Sequence, residues 1–277
     1  MIIVSGTKRS GTSMWMQVLG AAGLNVLGKD FPAVWGDSIR AANPNGFFES
    51  ELRNGIYYRT NPDPRTGRFY RPKASASTVV KVFIPGLVRT DMAYLNRVLI
   101  CTRGWRAYVR SLNRLYTIED EWMLNNPEEW RTGEERQAEA ASKRPALPPA
   151  IEWWYDQYEA VRDISVRKYP YKFVSYEETL DDPASMLDRV FDFVAGPNRK
   201  ALDFDAALAA IAPPPSSVEP EPTPPEVTPE MEVVFDLYAE RVRSPRGLDK
   251  DLLARMNELH RGIIERYDPP SRERVVR

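Results

Sequence analysis

The 277-residue sequence predicts an α/β fold in which a parallel sheet is flanked by helices. Three observations predict it. Short apolar runs at residues 1–5, 77–84, 96–103 and 171–176 are buried in character rather than alternating, as strands covered on both faces are. Helical stretches separate the runs, which suits parallel strands joined by crossovers. The first run passes directly into "GTKRSGTS", residues 6–13, which has the outline of a phosphate-binding loop opening a helix. The expected class is therefore a P-loop-type parallel sheet with a helical insertion and C-terminal helices, as a single domain over residues 1–277.

The elements justify themselves in order. Residues 12–22 read as the helix after the loop, with Gly23 as its stop. "NPNGFFESEL", residues 43–52, starts as a turn and becomes helical. The second strand, 77–84, carries Lys81 and ends at Pro85; the third, 96–103, ends in Arg103 and feeds a helix over 105–115. Residues 116–169 form a helical, aromatic-rich insertion interrupted by the Pro-rich "KRPALPPA" at 143–150. Trp122, Trp130, Trp153, Trp154, Tyr155 and Tyr158 in it suit an acceptor pocket or a helix-packing core. The fourth strand ends in Tyr176. Prolines dominate residues 213–230, which disfavours helix and makes the segment a linker or a lid. His260, the one histidine, is expected on the surface of an amphipathic C-terminal helix.

Composition narrows the function classes. A net charge of −1 creates no global field for nucleic acid or an anionic membrane, so any anion site is a local cluster. Cys101 is the single cysteine and lies in an apolar strand. One cysteine excludes an internal disulfide framework and a cysteine-built zinc site, and suits a reducing cytoplasm. No segment approaches the roughly 18 apolar residues of a membrane span. The first strand runs straight into the glycine turn, leaving no room for a signal-peptide core. The expectation is a cytoplasmic protein with neither membrane nor nucleic-acid partners.

The loop sets the chemistry. Its turn and the following helix place backbone N–H groups around one point, where the helix dipole favours an anion. Ser10, Thr12 and Ser13 add hydroxyls; Lys8 and Arg9 add positive charge. A nucleoside-triphosphatase loop needs lysine directly after its second glycine. Here that position is Thr12, and the cations sit inside the turn. Ligands of open α/β sheets lie beyond the carboxyl ends of the strands. Lys81 is carried by one strand, Arg103 ends another with Ser111 eight residues later, and Tyr176 ends a fourth before "EETLDDP". Together these describe a site with two anionic ends and a flat ring between them.

The set "KRSGTS", "VVKVFIPGL", "VLICTRGWRAYVRS" and "FVSYEETLDDP" resembles the sulfotransferases that use 3′-phosphoadenosine 5′-phosphosulfate (PAPS), over residues 2–195. "NPNGFFES" resembles a segment common in bacterial members. The resemblance implies that Arg9 contacts the transferring sulfonate and the bridging oxygen. It implies that Ser10, Gly11, Thr12 and Ser13 cradle the 5′-phosphate, that Arg103 and Ser111 hold the 3′-phosphate, and that Tyr176 lies near the adenine. Lys81 matches a lysine beside the sulfonate. The implied reaction moves sulfonate to a hydroxyl, or less readily an amine, of a small molecule. Like phosphoryl transfer, it rests on in-line positioning and charge stabilisation. Because the leaving group is a phosphate, loop cations can serve without a metal, and "VLICTR" ends in arginine where a triphosphatase would place aspartate.

The sequence also departs from that pattern. Many cytosolic relatives carry K-x-H on the second strand, with histidine as base; here the stretch is Lys81-Val82-Phe83. If the acceptor hydroxyl must be deprotonated, a carboxylate is the remaining candidate. Asp30 falls where tyrosylprotein sulfotransferases have a glutamate base; Glu49, after an apolar pair, is the rival; Asp37 is third. Met14 stands where relatives place tryptophan, and Trp15, about 100° further round the helix, is turned toward the core. "RSPRG", residues 243–247, is the nearest match to the relatives' late glycine-rich segment. Two other readings stay open: an ATP- and magnesium-dependent phosphotransferase that recruits Glu177 to the metal, and a non-catalytic nucleotide-binding protein of the same fold.

Overall fold

A computed structural model describes residues 1–30, 48–50, 52–57, 70–125, 147–211, 223–244 and 247–267. Strands Ile2–Gly6 (β1), Val26–Leu27 (β2), Val79–Lys81 (β5), Arg97–Thr102 (β6) and Tyr171–Ser175 (β7) form a five-stranded sheet. Their order is β2-β5-β1-β6-β7, and every neighbouring pair is parallel. Lys29–Asp30 (β3) and Phe48–Glu49 (β4) make a separate antiparallel ladder. The α/β architecture with a parallel sheet between helices is thus as expected.

The buried character of the strand runs has a direct structural cause. Ile2, Val4, Val79, Leu99 and Cys101 share one face, packed against Met16 and Leu19 of helix α1 (Thr12–Ala21). Met1, Ile3, Val80, Val98 and Ile100 share the other, packed against helix α2 (Ile84–Arg89). Alternate residues point to opposite faces, so a sheet covered on both sides needs an apolar residue at every position.

Helices Trp105–Asn125 (α3) and Pro149–Arg167 (α4) follow β6. After β7 come Tyr176–Asp181 (α5), Pro183–Ala195 (α6), Phe204–Ala209 (α7), Pro229–Arg243 (α8) and Lys250–Tyr267 (α9). An aromatic core joins α3, α4, α8 and α9. In it Trp154 stacks on Phe235 at 5.1 Å, and Trp153 meets the same ring edge-on. This answers the question about the aromatic insertion for Trp153, Trp154 and Tyr155, which are core residues. Trp130 lies outside the described residues. Trp15 is buried in the core, as its place on the helix suggests.

Several local expectations are corrected. Phe48 and Glu49 are strand, not helix. Gly28 permits this: a Cβ on it would lie 2.5 Å from the Glu49 carbonyl oxygen and 2.5 Å from the Phe48 ring, so β4 could not approach. Pro85 does not end a strand; it sits in the first turn of α2, where proline needs no donor. Tyr176 opens α5 rather than closing β7, because Ser175 caps the helix by accepting from the Glu178 N–H. The helix after β6 runs on to Asn125. His260 is half-buried, with its ring stacked on Tyr158 at 3.6 Å between centroids, so it packs α9 onto α4 instead of facing solvent. Most of the Pro-rich stretch, through residue 222, and Asp37 lie outside the described residues. At its far end Val227 is buried and Thr228 caps α8.

Candidate active site

The loop is shaped by backbone constraints that begin at the end of β1. Gly6 has φ +155°, and a Cβ there would fall 2.5 Å from the Cys101 carbonyl oxygen and 2.6 Å from Ser10 Oγ. Ser10 Oγ donates to the Thr7 carbonyl at 2.7 Å and closes the turn. Arg9 takes φ +64°, a left-handed conformation that costs a non-glycine residue about 1–2 kcal/mol. Strain of this kind concentrates at functional sites. Gly11, at φ +89°, is the N-cap of α1. That helix has no side-chain cap and no acidic residue in its first turn, so its N-terminus retains its preference for an anion.

Gly11 is also the point where Tyr176 meets the loop. A Cβ on Gly11 would stand 2.9 Å from Tyr176 Cδ2. Gly11→Ala therefore combines left-handed strain with a clash. The expected result is a loss of about 1–2 kcal/mol, seen in thermal unfolding as a Tm roughly 2–4 °C lower.

Two guanidinium groups meet beside this loop. Arg9 Nε donates to Ser111 Oγ on α3 at 3.0 Å, and Arg103 donates to the Arg9 carbonyl at 2.9 Å. The Arg103 guanidinium lies 4.4 Å from the centre of the Tyr176 ring. Trp153 Nε1 donates to the Arg103 carbonyl at 2.9 Å, and the Gly104 N–H donates to Glu177 Oε1 at 2.9 Å. Desolvation, with the positive charge of Arg103 second, pushes Arg9 down to about 10. Desolvation also lowers Arg103, against the opposing pull of Tyr176 and Glu177. Burial is the leading cause of both shifts. Arg103 Nε is buried and has no hydrogen-bond partner.

Lys81 builds the second group. It pairs with Val4 across the sheet, on the same face as α1, and is 3% exposed. Its ammonium donates to Glu49 Oε1 at 2.7 Å, to the Phe48 carbonyl at 3.1 Å and to Ser13 Oγ at 3.2 Å. Burial lowers its pKa, while the Glu49 carboxylate pulls the other way. Glu49 Oε2 is buried without a hydrogen-bond partner. Phe83 presents its ring 5.1 Å from the ammonium.

The structure thus brings Arg9, Ser10, Gly11, Thr12, Ser13, Lys81, Glu49, Arg103, Ser111 and Tyr176 around one end of the sheet. Lys8 points elsewhere: its exposed ammonium forms a 3.6 Å ion pair with Glu152 on α4. The resemblance implies a place for Arg9 beside the sulfonate with Lys81, whereas its Nε is bonded within the Arg103–Ser111 group. Two loop hydroxyls are already engaged, Ser10 with Thr7 and Ser13 with Phe48 and Lys81. Asp30 pairs through its backbone with Phe48, one step from Glu49 on the same ladder; its side chain lies outside what is described.

Two residues gain roles that sequence reasoning missed. Glu177, read as a recruitable metal ligand, braces the turn after β6 and accepts from Ser175 Oγ at 3.1 Å and Arg243 at 3.2 Å. Arg243 begins the "RSPRG" stretch, the one signal that marked it. Buried polar atoms without partners gather here as well: Ser5 Oγ, Thr7 Oγ1, Glu49 Oε2 and Arg103 Nε. Such atoms are rare in folded proteins and mark places where a ligand or water completes the bonding.

With this geometry in hand, comparisons were made with protein-family models, with curated proteins and with solved structures, and none of them matches the chain. Among the described residues no helix is long and apolar enough to cross a membrane. No group of three or more His, Cys, Asp or Glu side chains is placed to hold a metal ion among them.

Proposed function

We propose that this chain is a P-loop-type sulfotransferase that moves the sulfonate of PAPS to a hydroxyl, or less readily an amine, of a small-molecule acceptor. One observation carries the reading: Arg9, Arg103 and Ser111 converge at the loop, with Arg103 Nε buried and unsatisfied. Two neighbouring desolvated guanidiniums repel each other, and a phosphate beside them reverses that cost. An adenosine carrying both a 5′- and a 3′-phosphate fits such a site: the α1 N-terminus and loop N–H groups suit the 5′ end, and Arg103 with Ser111 the 3′ end.

The remaining residues divide the work. PAPS, when bound, supplies an activated sulfonate whose leaving group is a phosphate. Arg9 balances the charge that builds up at the loop. Glu49 accepts the proton of the acceptor hydroxyl at Oε2, its unpartnered oxygen. No magnesium ion is needed in this scheme, since cations of the chain stand at the loop and the Glu177 oxygens are committed to Gly104, Ser175 and Arg243.

Calorimetric titration in EDTA tests the reading. 3′-Phosphoadenosine 5′-phosphate (PAP) is expected to bind at least about tenfold more tightly than adenosine 5′-phosphate, as one added charge-assisted contact predicts. ATP binding that requires magnesium, with no preference for PAP, would replace this reading with the phosphotransferase.

A further inference from the structure

The strand lysine is spent on the protein itself. An ammonium has three N–H bonds and no acceptor capacity. Those of Lys81 meet three protein acceptors: Glu49 Oε1 at 2.7 Å, the Phe48 carbonyl at 3.1 Å and Ser13 Oγ at 3.2 Å. Ser13, having accepted from Lys81, donates onward to the same Phe48 carbonyl at 3.4 Å. Phe83 lies against the cation. The network closes on itself at every atom except Glu49 Oε2, which is buried and has no hydrogen-bond partner.

We propose that Lys81 is a positioning residue that holds Glu49 through Oε1 and makes no contact with the transferring sulfonate. The proposal rests on the sulfotransferase reading and assigns Lys81 a different task within it. With Oε1 fixed, Oε2 is the atom with capacity for a proton, and its direction is set by three elements at once: β4 through Phe48, β5 through Lys81 and α1 through Ser13. Phe83 gains a reason too. In place of an imidazole that takes the proton, it gives an aromatic face to the lysine that orients the base.

The two possible tasks for Lys81 differ in ligand discrimination. A lysine on the sulfonate contributes to binding PAPS and contributes nothing to binding PAP, which lacks the sulfonate. A lysine on Glu49 affects neither. For Lys81→Met we expect kcat to fall about 100-fold, in the range of general-base effects, with the ratio of PAPS to PAP affinity unchanged.

PAP affinity itself reports that the variant is folded. Since removing one member of a buried pair is destabilising, Lys81→Gln, which keeps two donors, is measured alongside and read in the same way if the methionine variant does not fold. A selective loss of PAPS affinity, or a kcat that stays near wild type, overturns the proposal. Absence of both PAP binding and PAPS turnover in the wild-type protein instead overturns the sulfotransferase reading, so the two failures are distinct.

Discussion

Glu49→Gln is expected to lower kcat by about 10²–10⁴-fold, the usual contribution of a general base, while PAP affinity stays within about twofold of wild type. Gln retains the shape of Glu and an oxygen that can accept from Lys81, so the bond made at 2.7 Å can survive the change. What is lost is the basicity of Oε2, the oxygen that has no other use in the folded protein. Steady-state kinetics with a competent acceptor, beside PAP titration, check this. Asp30→Asn is the control, because Asp30 shares the two-residue ladder with Glu49. A comparable loss there, with Glu49→Gln active, moves the base to Asp30. If neither variant loses turnover, the acceptor needs no carboxylate base.

Arg103→Ala is expected to weaken PAP binding by roughly 10–100-fold, the worth of a charge-assisted hydrogen bond at about 1.5–3 kcal/mol. Adenosine 5′-phosphate should be almost unaffected, since only PAP has a 3′-phosphate. The comparison matters because Arg103 has structural ties as well. It donates to the Arg9 carbonyl at 2.9 Å and packs on Tyr176. If those ties were its whole role, the loop would loosen and both nucleotides would lose affinity together. Equal losses therefore refute the 3′-phosphate assignment. Arg103→Lys sharpens the result: lysine keeps the charge and gives up the planar fork, so an intermediate loss confined to PAP is expected.

Much of the framework was legible in the residues. β1, β6 and β7 were placed within a residue or two, because β1 and β6 are apolar runs buried along nearly their whole length and β7, at the sheet edge, is an aromatic run that ends on buried Val174 and Ser175. The loop was legible because glycines at 6 and 11 occupy φ values that few other residues accept. The site residues on strand ends were legible for a related reason, since a parallel sheet carries all its strand ends to one side.

Other features were not legible because they depend on partners far away in the chain. The segment around Glu49 has a helical look in isolation, yet Gly28 admits it as a strand against β3. Tyr176 looked like a strand end until the Ser175 cap turned it into a helix start. His260 was placed at the surface by its helical periodicity, but Tyr155 and Tyr158 cover it. The sequence contained these partners without indicating that they meet.

The opening loop shows where the division falls. Composition and spacing alone determined an α/β chain with a glycine turn, a cation inside it and no lysine at Thr12, because such features belong to short stretches whose backbone preferences are local. Only the tertiary structure decided what the cations do. Arg9 reaches Ser111 across 102 positions, and Lys81 reaches Glu49 across 32. The first exists because β6 lies beside β1 in the sheet, a strand order that no local preference encodes, and the second because the separate β3–β4 ladder meets β5 through Lys81. Packing assigned one charge to the loop and Arg103, and the other to a carboxylate with one oxygen still open.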